Sequence, residues 1–189
     1  MRELLIVRHG PTEANERRVF TGAVDVPLSA RGEAVILAKK PSFPPAQAFF
    51  TSGMLRANQT LALLYGDVPY TVIADLKEYN FGHFEGRGHD DLYREEPAYR
   101  AWLQEDALDV ACPGGETRRA FSQRIARGWE ALAAEPWDGL AVLVTHGGVI
   151  STLMPMLVPG IEQVIPGNGE GYRLVLAEDG QVTAWEAFA

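Results

Sequence analysis

The chain has 189 residues, of which 47% are hydrophobic and 22% are charged, values ordinary for one globular domain with a substantial core. Its net charge of −8, with no basic run or stripe to offset it, argues against general binding to nucleic acid or to an anionic membrane. Any anionic ligand must therefore be met by a local cluster of basic side chains.

No apolar run approaches the roughly 18 residues that a membrane span needs, and the N-terminus lacks a signal-peptide pattern. The sequence therefore predicts a cytoplasmic protein without a membrane partner. Its single cysteine, Cys112, excludes an internal disulfide and a CxxC metal motif. Its four histidines form no HExxH pattern and no close pair, so no metal site is predicted.

The first predicted element is a strand over residues 4–7, an unbroken apolar run typical of a strand buried on both faces of a parallel sheet. Arg8 and His9 follow, and Gly10-Pro11 indicates a turn. The strand thus delivers two polar side chains to its carboxyl end, the edge at which open α/β sheets bind ligands. On these signals alone, solvated residues at a strand end are the more ordinary interpretation.

Residues 13–18 form a short polar stretch, and a loop is expected up to residue 28. Ser29 is predicted to cap a helix that runs to about Lys40. A second strand over residues 47–51 ends at Ser52-Gly53. The helix predicted next, over residues 55–65, carries Arg56 in its first turn.

A third short strand is predicted over residues 69–73. The stretch 75–115 is the least regular part of the chain, with short helical patterns at 90–95 and 97–105. We interpret it as an insert within a single domain of residues 1–189.

The helix predicted over residues 116–134 is amphipathic, with apolar residues on one face, namely Phe121, Ile125, Trp129 and Leu132. A strand over residues 140–144 repeats the design of the first strand and ends in Thr145-His146-Gly147. A helix over residues 149–157 and a terminal β-hairpin around Asp179-Gly180 complete the chain.

This order of elements predicts the α/β class. We expect a three-layer α/β/α arrangement whose central sheet is mainly parallel, with an antiparallel edge strand and a small, mostly helical insert over the active site. In such a sheet, His9 and His146 follow strands that end at the same edge, and Arg56 lies near it. Three strand ends with cationic or cationisable groups in an acidic protein indicate an anion pocket.

These residues resemble, in chain order, five sequence blocks of the histidine phosphatase superfamily, in its phosphoglycerate-mutase-like branch. The matching positions include Arg8-His9-Gly10-Pro11-Thr12 with Asn15 and Thr21-Gly22, Ser52-Gly53-Met54-Leu55-Arg56, Leu76-Lys77-Glu78 with Phe81-Gly82 and Glu85-Gly86, Pro113-Gly114-Gly115-Glu116-Thr117, and Val144-Thr145-His146-Gly147-Gly148. The matches run from about Leu4 to Gly148, which makes the resemblance specific.

The resemblance implies that His9 attacks phosphorus and forms a phosphohistidine. Arg8 and Arg56 would hold the phosphoryl oxygens, and His146 would add a positive group when phosphate is bound. Glu78 is the implied general acid, which would then activate the hydrolytic water. Further positions match substrate contacts, namely Asn15, Thr21, Gly22 and Gly147; Glu85 and Glu116 belong to matched motifs in which a structural role is open.

The function implied is that of a phosphomonoesterase that uses no metal or other cofactor and acts on a small-molecule phosphate ester. A cofactor-dependent phosphoglycerate mutase is the first alternative, and a non-catalytic phosphate-binding module is the second. The insert is short and offers Arg87, Arg94 and Arg100 only singly, which favours the phosphatase. Its aromatic residues either form its core or line a pocket for a ring-bearing substrate, and the sequence leaves the oligomeric state open, a homodimer included.

Overall fold

The structure, a computed structural model, describes residues 2–104, 106–161 and 165–189. Its helices and strands are β1 (Arg2–Arg8), α1 (Glu13–Glu16), α2 (Ala30–Lys39), β2 (Ala48–Thr51), α3 (Leu55–Tyr65), β3 (Thr71–Val72), α4 (His89–Glu95), α5 (Pro97–Trp102), α6 (Arg118–Ala134), β4 (Gly139–Thr145), α7 (Gly147–Leu157), β5 (Gly171–Leu176) and β6 (Val182–Phe188). Short 3₁₀ turns occur at Lys40–Ser42, Ala74–Leu76 and Gly82–Phe84.

The described strands form one sheet in the order β3-β2-β4-β1-β5-β6. The first four are mutually parallel, β5 runs antiparallel to β1, and β6 runs antiparallel to β5. The predicted α/β class, with a mainly parallel sheet and an antiparallel edge, is confirmed. In the β1–β4 pair, Arg8 lies opposite Thr145, so the residues that follow leave neighbouring strands at the same level.

Alternate residues of β1 point to opposite faces of the sheet, as the pleat requires. Leu4 and Ile6 belong to a core cluster that includes apolar residues of α6 and α7. Leu5 and Val7 belong to a second cluster with residues of α3, against which α2 packs. The sheet is therefore covered by helices on both faces, as its continuous apolar strands predict.

Helix starts follow local capping chemistry. The Ser29 Oγ accepts a hydrogen bond from the Gly32 amide (2.9 Å), and α2 begins at the next residue, as predicted. The predicted start of α6 is two residues early, because Thr117 is its N-cap and Glu116 lies before the helix.

The polar stretch 13–18 was not predicted to be helical, and this is wrong for Glu13–Glu16. Thr12 and Asn15 form a capping box there, with each side chain bonded to the other residue's backbone. A helix of four residues is too short to show an apolar periodicity, so the sequence pattern could not reveal it.

The insert carries α4 and α5, and the end of the second predicted helical pattern, Glu105, lies outside the described residues. Its aromatic rings pack on one another: Phe84 and Trp102 both contact Tyr99, with ring centroids 5.3 Å and 5.7 Å away. Tyr99 and Phe84 are fully buried in the same cluster as α6. Phe84, Tyr99 and the partly buried Trp102 therefore belong to the core, whereas Tyr93 is exposed. Within the described ranges, no helix has the length and apolar character needed to cross a bilayer.

Candidate active site

His9 follows β1 and is 4% exposed. Its Nδ1 lies 2.6 Å from the carbonyl oxygen of Gly10, and since a carbonyl can only accept, Nδ1 carries the proton and donates it. The lone pair is therefore on Nε2. Burial, followed by the charges of Arg56 and Arg8, lowers the His9 pKa to about 3, against the raising effect of the Gly10 bond. The imidazole is thus neutral at pH 7, as a nucleophile must be.

The backbone around His9 is held from three directions. The His9 amide donates to the Thr145 carbonyl (2.9 Å) of the neighbouring strand β4. The Asn168 side chain donates to the His9 carbonyl (2.8 Å), and the Gly10 amide donates to Thr60 Oγ1 (2.9 Å) on α3. Asn168 is not among the residues predicted from the sequence, because the run Pro166-Gly167-Asn168-Gly169 carries only a turn signal.

His146 is fully buried, and its ring lies edge-on to that of His9 with centroids 5.2 Å apart. Its Nε2 is 2.8 Å from Ser52 Oγ, while its Nδ1 has no hydrogen-bond partner among the described residues. Burial, then the neighbouring His9 and Arg56, lower the His146 pKa well below its usual value. The imidazole is therefore neutral in this structure, and the cationic form implied by the resemblance requires a bound anion.

Arg56 is 1% exposed and donates to the carbonyl oxygens of Gly22 (2.9 Å) and Val24 (3.1 Å). Arg8 donates to the Pro166 carbonyl (2.8 Å), but its buried Nε has no partner within the described chain. Burial lowers both arginine pKa values, and the charge of Glu78 opposes that effect. We refer to Arg8, His9, Arg56 and His146 as the basic cluster.

Two buried nitrogens of the basic cluster, Arg8 Nε and His146 Nδ1, lack partners in the described structure. A buried polar group without a hydrogen bond costs about 1–3 kcal/mol, so such groups usually mark a ligand or a strained site. Because Arg8 is a cation, an anion is the ligand that satisfies it best.

Glu78 faces the basic cluster, and its pKa responds to both Arg56 and Arg8. Its Oε1 accepts from the Tyr79 amide (2.9 Å) and its Oε2 from the Gly148 amide (3.1 Å) at the start of α7. Burial raises the Glu78 pKa and outweighs these bonds and charges, which lower it. The carboxyl group is therefore biased toward the protonated form, which a proton donor needs.

Three glycines of the matched blocks allow close approaches around these groups. A Cβ on Gly148 would overlap Oε1 of Glu78, and a Cβ on Gly147 would lie 3.2 Å from Arg8 Nε. A Cβ on Gly22 would overlap the Tyr79 carbonyl, so the loop that holds Arg56 approaches the Glu78 segment closely.

Asn15 and Thr21 lie away from the described bonds of the basic cluster. The Asn15 Oδ1 accepts from the Thr12 amide (3.1 Å) within the capping box. Thr21 lines a cavity of about 410 Å³, together with Arg17 and Glu85. The described contacts thus connect the five predicted catalytic residues and include no bond from Asn15 or Thr21 to the basic cluster.

Glu85 acts on the loop that holds Arg56. Its two carboxylate oxygens accept from the amides of Ala23 (2.8 Å) and Val24 (3.0 Å). Because the carbonyls of this loop hold Arg56, Glu85 fixes the guanidinium indirectly. The described residues contain no group of three or more His, Cys, Asp or Glu side chains that could hold a metal ion.

Comparison with known proteins gives a consistent result. A sequence model of the histidine phosphatase superfamily (branch 1) matches residues 4–179. An adenosylcobalamin/alpha-ribazole phosphatase of Salmonella typhimurium is 33% identical over 160 residues, covering 82% of this chain and 79% of that protein.

Among solved structures, the alpha-ribazole phosphatase of Shigella flexneri is similar, with a TM-score of 0.84 and 27% identity over 98% of this chain and 95% of the other. A structure described as phosphoglycerate mutase from Thermus thermophilus matches with a TM-score of 0.73 and 30% identity, covering 99% of this chain and 98% of that one.

Proposed function

The chain belongs to the histidine phosphatase superfamily (branch 1), and from this premise we propose that it is a metal-independent phosphomonoesterase with His9 as its nucleophile. The observation that carries the proposal is the state of His9: a neutral imidazole whose Nδ1–H is bonded to Gly10, and whose Nε2 has no hydrogen bond among the described residues. It lies beside a second imidazole and within the influence of the buried Arg56 and the partly buried Arg8.

In the first step, His9 Nε2 attacks phosphorus, and the bond between phosphorus and the ester oxygen breaks. The Gly10 carbonyl stabilises the positive charge that develops on the imidazole, through the Nδ1–H bond. Arg8, Arg56 and the unpartnered Nδ1 of His146 bind the phosphoryl oxygens. Such preorganised groups are usually the largest single contribution to catalysis.

An alkoxide is a poor leaving group, so the departing oxygen needs a proton, which Glu78 donates. In the second step the ionised Glu78 takes a proton from water, and that water attacks the phosphohistidine. Inorganic phosphate leaves, and the protonated Glu78 and neutral His9 are restored. The raised pKa of Glu78 supports the acid role in the first step.

The substrate class is a small-molecule phosphate ester. Two of the similar proteins are named alpha-ribazole phosphatases, which supports an ester whose alcohol is an organic molecule of moderate size. The core packing of the insert aromatics gives no separate support for a ring-bearing alcohol.

The mutase alternative is less favoured, because the insert arginines are already engaged. Arg87 pairs with Glu95 (2.9 Å) and Arg94 with Asp91 (2.7 Å). Arg100 donates to the carbonyl of residue 93 (2.7 Å). In the described structure each of these three guanidinium groups already bonds to a partner in the insert, so binding the carboxylate of a phosphoglycerate would compete with that bond.

The proposal is tested by p-nitrophenyl phosphate hydrolysis in EDTA. We expect turnover by the wild-type protein and none by His9→Ala, while Arg87→Gln, a change in the insert, retains activity. Full activity of His9→Ala would overturn the nucleophile assignment.

The same preparations separate the alternatives. Interconversion of 3- and 2-phosphoglycerate stimulated by bisphosphoglycerate would indicate the mutase. Phosphate binding without turnover of any ester in a broad panel would indicate a binding module.

A further inference from the structure

Arg124 lies in the second turn of α6 and makes no contact with the basic cluster in the described hydrogen bonds. Its side chain is only 19% exposed, and its guanidinium group donates to three backbone carbonyls of the segment 75–78. The acceptors are Asp75 (2.8 Å), Lys77 (2.8 Å) and Glu78 (3.2 Å). One side chain thus binds the backbone of the candidate general acid and of two residues just before it.

Glu116 completes the arrangement from the other side. Its Oε1 accepts from Arg124 Nη2 (2.6 Å) and from the amide of Asn80 (2.8 Å), and its Oε2 accepts from Arg124 Nε (3.3 Å). Charge-assisted bonds of this kind are shorter and stronger than neutral ones. The segment 75–80, with Glu78 in its interior, is therefore fixed on both sides of the acid.

Regular secondary structure does not provide this support. Glu78 belongs to no helix or strand of the described chain, and the 3₁₀ turn before it ends at Leu76. Among the described residues, the Glu78 carboxyl group accepts hydrogen bonds from two amides, those of Tyr79 and Gly148. A shift of the backbone by about 1 Å can reduce catalysis by two orders of magnitude even when the chemical groups remain.

We propose that Arg124, fixed by Glu116, is a positioning residue for the general acid Glu78. The inference rests on the function proposed above and extends it to a residue outside the reacting groups. Arginine suits this task because its planar fork reaches several carbonyls at once, whereas a lysine offers one flexible ammonium group.

The test compares kcat/KM for two substrates, p-nitrophenyl phosphate and an alkyl phosphate such as glycerol 2-phosphate. This parameter reports phosphoryl transfer to His9, and only the alkyl ester needs a strong proton donor. For Arg124→Lys we expect a loss of about a hundredfold on the alkyl ester and less than about tenfold on the aryl ester. The matched control is Arg127→Lys on the same helix; the Arg127 side chain is 60% exposed and pairs with the Asp75 carboxylate (3.4 Å).

Glu116→Gln is the milder second variant, because it keeps the size of the side chain and weakens its bond to Arg124. We expect Glu116→Gln to lower kcat/KM for the alkyl ester more than for the aryl ester, as Arg124→Lys does, but by a smaller factor. Equal losses on both substrates, or no loss, in folded Arg124 and Glu116 variants would overturn the inference. If Glu78→Gln itself shows no dependence on the leaving group, the acid assignment in the proposed function fails instead.

Discussion

The chemistry of His9 depends on one short bond to its own neighbour. With Nδ1–H donated to the Gly10 carbonyl, the ring cannot present a proton on Nε2 while it is neutral. Burial among cations makes protonation costly, and the same cations are available to a phosphoryl group. The residue is thus a nucleophile because of where it is placed, since a histidine in water would be partly protonated near pH 6.5.

The pKa shifts predict the pH dependence of kcat/KM for an alkyl phosphate such as glycerol 2-phosphate, whose leaving oxygen needs a proton. His9 must be neutral, and its pKa is lowered, so the acid limb should lie near pH 3. Glu78 must be protonated, and its pKa is raised, so activity should persist above pH 4.5 before it falls.

The control for this profile is Glu78→Gln, measured with the same ester so that ionisation of the substrate is identical. We expect the acid limb to remain and the alkaline limb to move or disappear. Superimposable profiles for the two proteins would contradict the assignment of Glu78.

The sequence predicted which residues form the site better than it predicted the hydrogen-bond partners that hold them. Arg8, His9, Arg56, Glu78 and His146 are identified by their motifs. The Gly10 carbonyl and Asn168 could not be identified as partners of His9, because each bond depends on the backbone path. Asn168, for example, lies 159 positions away in the chain.

Helix α7 contributes to the active site through a backbone amide of its first turn. It starts directly after His146, and its Gly148 amide, one of the unpaired groups of a helix N-terminus, donates to Glu78. The positive end of the helix dipole therefore stabilises the carboxylate that forms when Glu78 gives up its proton.

Gly148→Ala tests this arrangement, because the added Cβ would displace the Glu78 carboxyl group. Alanine is a better helix former than glycine, so helix propensity does not oppose the change. We expect a loss of about a hundredfold in kcat/KM for an alkyl phosphate. Thermal unfolding should change little by comparison.

The melting temperature and the aryl ester are the controls in that experiment. A folded Gly148→Ala protein with wild-type activity on alkyl esters would mean that the contact with Glu78 has no catalytic role. A general collapse of stability would instead assign the glycine to packing.

The bounds of helices and strands with a clear apolar pattern were predicted closely, whereas elements without such a pattern were missed or given the wrong length. Strand β1 and helix α3 have clear apolar patterns, and the predicted bounds of α3 agree with Leu55–Tyr65. Helix α1 has no such pattern, and β3 is shorter than predicted, at Thr71–Val72. Helix α7 contains Pro155 near its end, where proline ordinarily argues against a helix.

The order of the strands in the sheet places the residues of the basic cluster next to one another. Because β1 lies between β4 and β5 in the sheet, His9 and His146 emerge side by side although 137 positions separate them. Arg56 enters from α3, which follows the strand on the other side of β4. The basic cluster therefore exists only in the folded chain, and it concentrates positive charge locally in a protein of net charge −8.

A ligand that binds only the folded state must stabilise it, so inorganic phosphate should raise the melting temperature. At a hundred times its dissociation constant, the stabilisation is about 2.7 kcal/mol. For a protein of this size that corresponds to roughly 5–10 °C. Arg56→Gln should reduce the shift measured with and without phosphate, whereas Arg87→Gln should preserve it. An equal shift in all three proteins would place the phosphate elsewhere.

The central claim, that His9 carries the phosphoryl group, is tested most directly by trapping the intermediate. In Glu78→Gln, transfer from p-nitrophenyl phosphate should remain faster than hydrolysis of the phosphohistidine, because only the second step needs the base. Quenching in alkali preserves phosphohistidine, and mass spectrometry of the peptides locates it. We predict up to one phosphoryl group per chain, on His9. A phosphoryl group on another side chain, or release of nitrophenol with no phosphorylated protein at any time, would contradict the account.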